Sequence, residues 1–253
     1  MKARITAIVL AAGKSQRMNS DVQKQYMIIR GKPVLYYSLK AFSDSAVDDI
    51  IIVTGKGERE LVQKTIVDRY GFHKVKAVIA GGKERYDSAY AGLLACEESD
   101  YVLIHDAARP MIGTEVIERA IEGAREYGAV VTGMPSKDTI KIVDEKEYAA
   151  ETPPRKNLWL VQTPQAFSYS LIREAYDRMR REESEKNRIT DDAMVVENYG
   201  GARVKLIFGD YLNIKITTVE DILLAEYILE HMETQREEKN RQEKNRTALP
   251  DRP

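Results

Sequence analysis

The stretch that decides the fold is Ile5-Thr6-Ala7-Ile8-Val9-Leu10, followed at once by Ala11-Ala12-Gly13. A short apolar run rich in β-branched residues and closed by small ones reads as a strand buried on both faces, the kind found in parallel sheets. Working outward, Asp49–Thr54, Lys74–Ala80, Tyr101–His105 and Ala129–Thr132 repeat the pattern. These four runs lead directly into a glycine or an acid: Gly55, Gly81, Asp106 and Gly133. Helix-like stretches separate them. Val34–Phe42 sets Val34, Leu35, Leu39 and Phe42 on one stripe, and Glu58–Asp68 groups Leu61, Val62, Thr65 and Ile66. Ser88–Cys96 and Glu115–Glu126 are comparable. Strand–helix alternation of this kind predicts an α/β fold, a mostly parallel sheet with helices on both faces. In such sheets, ligands bind where strands end at their carboxyl side.

At 253 residues the chain is near the upper size that one hydrophobic core serves, and a single domain over residues 1–232 is expected. Lys and Arg number 39 against 40 Asp and Glu, a net charge of −1, so no basic field attracts nucleic acid. Hydrophobic residues at 43% and charged ones at 31% suit a folded protein and argue against disorder. The lone cysteine, Cys96, excludes an intrachain disulfide framework and a multi-cysteine zinc site. His73, His105 and His231 share no close spacing, which argues against a histidine metal cage. No run reaches the ~18 apolar residues of a membrane span. The first residues lack a secretory pattern, so the cytoplasm is the expected compartment.

Two segments break the alternation. Lys137–Trp159 starts with period two (Thr139, Ile140, Lys141, Ile142), becomes polar at Asp144–Glu147, and ends on Thr152-Pro153-Pro154. That is the pattern of a protruding hairpin arm. Near Thr217 a helix is expected, with Glu220 completing a capping box and Ile222, Ala225, Ile228, Leu229 and Met232 as its apolar face. Beyond Met232, residues 233–253 are charged and almost devoid of apolar residues, and are expected to be a solvated, disordered tail.

Four groups could carry chemistry. In Leu10–Met18, small residues admit a ligand to the backbone and loop amides can form an anion nest, with Arg17 and Lys24 adding charge. Neither G-x-G-x-x-G nor G-x-x-x-x-G-K-S/T is present, and either cation taken singly is more commonly a solvated surface group. In Ala80–Ser88, Gly82 and Ser88 can wrap the edge of a base, although Ser88 can equally be a helix cap. In Ile104–Pro110, Asp106 stands beyond a buried strand, suited to a divalent cation or a ribose hydroxyl, and Arg109 offers a fork for phosphate. An Asp106–Arg109 loop salt bridge is the plainer alternative, and His105, within the strand, reads as packing. Late in the chain, Thr190-Asp191-Asp192 precedes a helix start that capping alone explains. Asn213–Thr218 reads as a short strand setting Asn213, Lys215 and Thr217 on one face.

Taken in order, LAAGKSQRM–KQY, GGKERYDS, HDAARP, DTIK, TPPR–LW–QTPQAF, TDDA and NIKITT–ED resemble the 2-C-methyl-D-erythritol 4-phosphate cytidylyltransferases, from about Ile5 to Met232. The resemblance implies a Rossmann-like nucleotidyltransferase fold that moves CMP from CTP to the phosphate of methylerythritol phosphate, releasing pyrophosphate with Mg²⁺ assistance. It implies that Ala11, Ala12 and Gly13 cradle the triphosphate, and that Gly82 and Ser88 read cytosine. Asp106 would sit by the ribose, metal and substrate phosphate. Arg17 and Lys24 match cations that stabilise the transition state, Lys215 and Arg155 a pair that positions the substrate phosphate. Arg109, Thr139 and Thr190 match further substrate contacts. It also implies a homodimer in which the arm carrying Arg155 reaches the neighbouring subunit.

Three positions depart from the usual pattern. Ser15 replaces a glycine, Gln23 stands where proline often precedes Lys24-Gln25, and Lys83 stands where an acid is frequent. Gln23 in particular predicts a Lys24 loop that is less rigid when empty. Ribitol 5-phosphate cytidylyltransferases are the nearest rivals, but HDAARP and DTIK favour methylerythritol phosphate. A regulatory nucleotide-binding domain is disfavoured by the intact Arg17, Lys24, Asp106, Arg155 and Lys215, and a dehydrogenase by the missing glycine fingerprint.

Overall fold

Alternate residues of the opening run part to opposite sides of a sheet: Ile5, Ala7 and Val9 enter one buried cluster and Ile8 another. The computed structural model describes residues 2–13, 23–96, 98–182 and 189–232, so Arg17, Ser15 and the tail 233–253 lie outside the described residues. The opening strand, β1, spans Ile5–Ala11. A small hairpin of β2 (Ile28–Ile29) and β3 (Lys32–Pro33) leads into α1 (Val34–Asp44). Then come β4 (Asp49–Thr54), α2 (Arg59–Val62) continuing as a π-turn over Gln63–Asp68, β5 (Val75–Ala80) and α3 (Arg85–Leu94). β6 (Tyr101–Asp106), α4 (Thr114–Tyr127) and β7 (Ala129–Pro135) follow. The arm carries β8 (Ile142–Val143) and β9 (Ala149–Glu151). β10 (Trp159–Ser168), α5 (Tyr169–Arg181), α6 (Asp192–Val195), β11 (Lys205–Phe208) and a last helix, α7 (220–232), complete the order.

Seven strands form one sheet in the order β11-β7-β10-β6-β1-β4-β5. Pairing is parallel throughout except at β10, which runs antiparallel to both β6 and β7. Helices α1, α2 and α4 cover one face through Leu39, Val62 and Ile117, and α3 and α5 cover the other through Leu93 and Tyr176. The expected α/β architecture is therefore present. Among the described residues no helix is long and apolar enough to cross a membrane.

Several local expectations are corrected. In the second helix the buried residues are Val62, Ile66 and Val67, whereas Leu61 is half-exposed and Thr65 faces out, because the π-turn rotates the stripe. No strand forms over Asn213–Thr218; Asn213 is buried and donates to the Thr163 carbonyl, which draws the segment off a ladder. Capping of α7 falls to Asp221 rather than Glu220. Asp221 Oδ2 accepts from Thr217 N at 2.7 Å, Thr217 Oγ1 at 2.8 Å and Thr218 N at 2.9 Å. The helix then seats Ala225, Ile228 and Leu229 against Ile29, Val34 and Met111, as its apolar pattern foretold. Asp221→Ala should lower stability by about 1 kcal/mol, more than Glu220→Ala, in denaturant melts.

Candidate active site

From β1 the chain crosses to β4 and β5 on one side, then returns to place β6 on the other side of β1. The carboxyl ends of β1 and β6 therefore flank a topological switch point, where such sheets leave a crevice. A cavity of about 670 Å³ opens there. Its lining brings together eight of the residues singled out from sequence: Ala11, Ala12 and Gly13 after β1; Lys24; Gly82 and Ser88 after β5; Asp106 closing β6; and Lys215. Lys83, Glu84 and Arg85 also face it.

Asp106 is the electrostatic centre. Lys215 Nζ donates to its Oδ2 at 2.6 Å and Arg85 Nε to its Oδ1 at 3.1 Å. Burial works against its charge, but Arg85 and Lys215 outweigh that and hold the carboxyl well below the usual carboxylate range. Arg85 is anchored from behind: its Nη2 lies 2.8 Å from Oδ2 of Asp192, a fully buried carboxylate whose Oδ1 accepts from Tyr176 Oη at 2.6 Å. Burial alone would depress the Arg85 guanidinium, yet Asp192 and Asp106 raise it well above its ordinary value. Neither Arg85 nor Asp192 was assigned a role from sequence. The available signal was a cation three residues beyond the Gly81-Gly82 turn, at what proves to be the first residue of α3.

The loop salt bridge considered for Asp106 and Arg109 does not form. Arg109 instead donates from Nη1 to the Asn213 carbonyl at 2.8 Å and reaches the Val161 carbonyl with Nη2, while its Nε has no hydrogen-bond partner among the described residues. His105 is fully buried, as its strand position implied. Its Nε2 lies 3.2 Å from the Arg109 carbonyl and so carries the proton; its Nδ1 accepts from Thr163 Oγ1, which in turn accepts from Asp106 N. Burial lowers the imidazole pKa to about 4, so it is neutral at pH 7.

Ser88 is not the cap of α3. That role belongs to Glu84 in a capping box with Asp87, and Ser88, one turn on, accepts from Gly82 N at 3.2 Å and ties the glycine turn to the helix. A side chain at position 82 would overlap Cβ of Asp87 at 2.2 Å, so the turn requires glycine. Four expected residues are not brought to the cavity lining within one chain: Arg109, held by the Asn213 and Val161 carbonyls, and Thr139, Arg155 and Thr190. Thr139 and Arg155 lie exposed on the arm, where Arg155 Nη1 donates to the Lys137 carbonyl. Thr190 is exposed beside Met194, and the neighbouring Asp191 caps α6 as expected.

Comparison with known proteins decides the family. Residues 5–231 match the family model for 2-C-methyl-D-erythritol 4-phosphate cytidylyltransferase. The enzyme of that name from Lachnoclostridium phytofermentans is 50% identical over 231 residues, spanning 91% of this chain and 98% of its own. The chain belongs to this family. Another cytidylyltransferase of this name, from Lachnospira eligens, is 50% identical over 226 residues, covering 89% of this chain and 99% of its own. Among solved structures, the 4-diphosphocytidyl-2C-methyl-D-erythritol synthase of Anaerococcus prevotii superposes with a TM-score of 0.79 at 35% identity, covering 90% of this chain and 96% of that one. The cytidylyltransferase of Thermus thermophilus does so with a TM-score of 0.72 at 30% identity, covering 88% and 98%.

The divalent cation that the family resemblance implies can be weighed against the donors present. Among the described residues, no three His, Cys, Asp or Glu side chains gather as a metal cage. Asp106 supplies one hard oxygen donor group at the cavity, which suits Mg²⁺ held chiefly by ligand phosphates and water.

Two outcomes are expected. Arg85→Met strips Asp192 of its cation and should destabilise the fold by about 3–5 kcal/mol, read by urea unfolding. His105 has a folded pKa of about 4 against 6.5 when exposed, so between those values the unfolded chain binds more protons. Stability should therefore fall as pH drops from 6.5 toward 4, and His105→Gln should remove that part of the slope.

Proposed function

We propose that this chain transfers CMP from CTP to 2-C-methyl-D-erythritol 4-phosphate, giving 4-diphosphocytidyl-2-C-methyl-D-erythritol and pyrophosphate. The observation that carries this reading is the cavity at the switch point, where Lys24, Lys83, Arg85 and Lys215 gather around the backbone of Ala11–Gly13 and Gly82. It has the dimensions of a nucleotide site and an excess of cations for a triphosphate.

In this reading Ala11, Ala12 and Gly13 hold the triphosphate through their backbone, and Gly82 and Ser88 read the cytosine edge. Asp106 orients the ribose and the incoming phosphate. A phosphate oxygen of the alcohol phosphate attacks the α-phosphorus, a new P–O bond forms, and the bond to the β-phosphate bridging oxygen breaks with pyrophosphate leaving. That nucleophile is already ionised at pH 7, so no general base is required, in keeping with a neutral, buried His105. Negative charge grows on the equatorial and departing oxygens, and Lys24 and Arg17 are assigned to it. Lys215 also acts on Asp106, and by pairing with it keeps that carboxylate from repelling the phosphates. Mg²⁺, held by Asp106 and the CTP phosphates, would supply further charge neutralisation.

Arg155 and Thr139 are assigned to the substrate phosphate of a neighbouring subunit, together with Arg109, Thr190 and Lys215 of the subunit that owns the site. Support comes from the arm itself, whose Ile142, Val143 and Tyr148 are exposed and apolar, as a segment awaiting a partner would be. The functional unit is then a cytoplasmic homodimer of one domain, residues 1–232, with 233–253 as a tail.

Incubation with CTP, Mg²⁺ and methylerythritol phosphate should release pyrophosphate; release with ribitol phosphate instead would overturn the assignment. Lys24→Ala or Arg17→Met should lower kcat by about 10²–10³. Arg155→Ala should raise KM for the sugar phosphate more than for CTP. Mixing Lys24→Ala with Arg155→Ala protein should restore turnover if arms are exchanged, since each heterodimer regains one intact site.

A further inference from the structure

Glu58 lies at the start of α2, outside the cavity lining, and the cytidylyl-transfer reading gives it no part. Yet its carboxylate collects donors from two separate pieces of chain. Tyr26 Oη donates to Oε2 at 2.7 Å and Gly55 N donates to the same oxygen at 3.0 Å. Gln23 Nε2 donates to the other oxygen, Oε1. Gln23 and Tyr26 flank Lys24 and Gln25 in a single 3₁₀ turn over Lys24–Tyr26. From the opposite side, buried Gln25 donates to the Ala11 carbonyl at 2.7 Å and to Gln23 Oε1. The turn is thus gripped on one side by the end of β1 and on the other by Glu58. Lys24, between these grips, faces the cavity.

We infer that Glu58 is a positioning residue, clamping the Gln23–Tyr26 turn so that Lys24 is held toward the cavity. This rests on the reading of Lys24 as a cation for the transition state. Two observations support the clamp independently of that reading. Burial first, then Glu58, push the Tyr26 phenol well above its ordinary pKa, the direction expected of a buried hydroxyl that donates to a carboxylate. A Cβ at Gly55 would come within 2.7–2.8 Å of the Glu58 carboxylate, so the glycine leaves the space that this carboxylate fills.

The test uses the full chain with CTP, Mg²⁺ and methylerythritol phosphate. Glu58→Gln keeps the shape but turns an all-acceptor carboxylate into an amide that faces the Gln23 donor. It should lower kcat about tenfold, with KM for methylerythritol phosphate within about twofold of the parent, because a displacement near 1 Å at a catalytic group has effects of that order or more. Tyr26→Phe removes one hydroxyl and should act in the same direction, and it decides the matter if Glu58→Gln fails to fold. In a Lys24→Ala background, Glu58→Gln should add less than a twofold loss. A kcat within twofold of the parent for both single variants, or an undiminished tenfold loss without Lys24, would overturn the inference. Amide exchange separates this from the parent reading: Glu58→Gln should speed exchange at Tyr26 and Met27, whose amides bond to the Gln23 and Lys24 carbonyls. Parental turnover in Lys24→Ala would sink the catalytic assignment of Lys24. Exchange alone then decides the clamp, and an unchanged rate overturns it.

Discussion

A carboxylate buried at the carboxyl end of β6 keeps its charge because two cations close on it from distant parts of the chain. Removing Asp106 from water costs several kcal/mol unless it is paired and hydrogen-bonded. Arg85 and Lys215 supply that pairing, and Thr163 Oγ1 receives the Asp106 amide. Arg85 is itself fixed by Asp192, and Asp192 by Tyr176 in the hydrophobic layer under α5. The cavity wall is thereby tied to the core through ionic contacts. Each member is committed to another, so a shift of α5 or α6 would be felt at Asp106.

This arrangement explains how a chain of net charge −1 can present an anion site. Lys24, Lys83, Arg85 and Lys215 line the cavity against Glu84 and Asp106. They are spread over nearly two hundred positions, so no window of the sequence reads as basic. The sheet concentrates them, because several of its parallel strands deliver their following loops to one edge. The local field then arises from topology, and composition alone could not reveal it.

Legibility followed burial. β1, β4 and β6 were readable because central parallel strands covered on both faces are near-continuous apolar runs. β10 is as central, lying between β6 and β7, yet it went unseen. It carries Gln162, Thr163, Pro164 and Gln165, and the three polar residues are buried but satisfied by Asp210, by Asp106 and His105, and by Asp191 and Ala193. Polar satisfaction across sequence separations of 26 to 58 leaves no local signature. The same reason hid Arg85 and Asp192, whose meaning lies in each other. Residues that line the cavity through small side chains, such as Ala11–Gly13 and Gly82, were legible because small residues after a strand are a local signal.

Gln23 shows a second way to hold the turn that a proline would hold. Reading the loss of proline before Lys24 as a loss of stiffness assumes that the ring was the only available constraint. Proline acts by holding φ near −65°, and Gln23 sits at φ −66° and ψ 140° without a ring. What proline imposes covalently is supplied here by hydrogen bonds from Gln23 to Glu58 and from Gln25 to Gln23. The two solutions differ physically. A ring stiffens the unfolded chain as well and needs no partner, whereas a glutamine is stiff only while its acceptor is in place. The substitution therefore moves control of the Lys24 turn out of the turn itself and into the β4–α2 connection, making Glu58 and Gly55 part of what determines where that lysine stands.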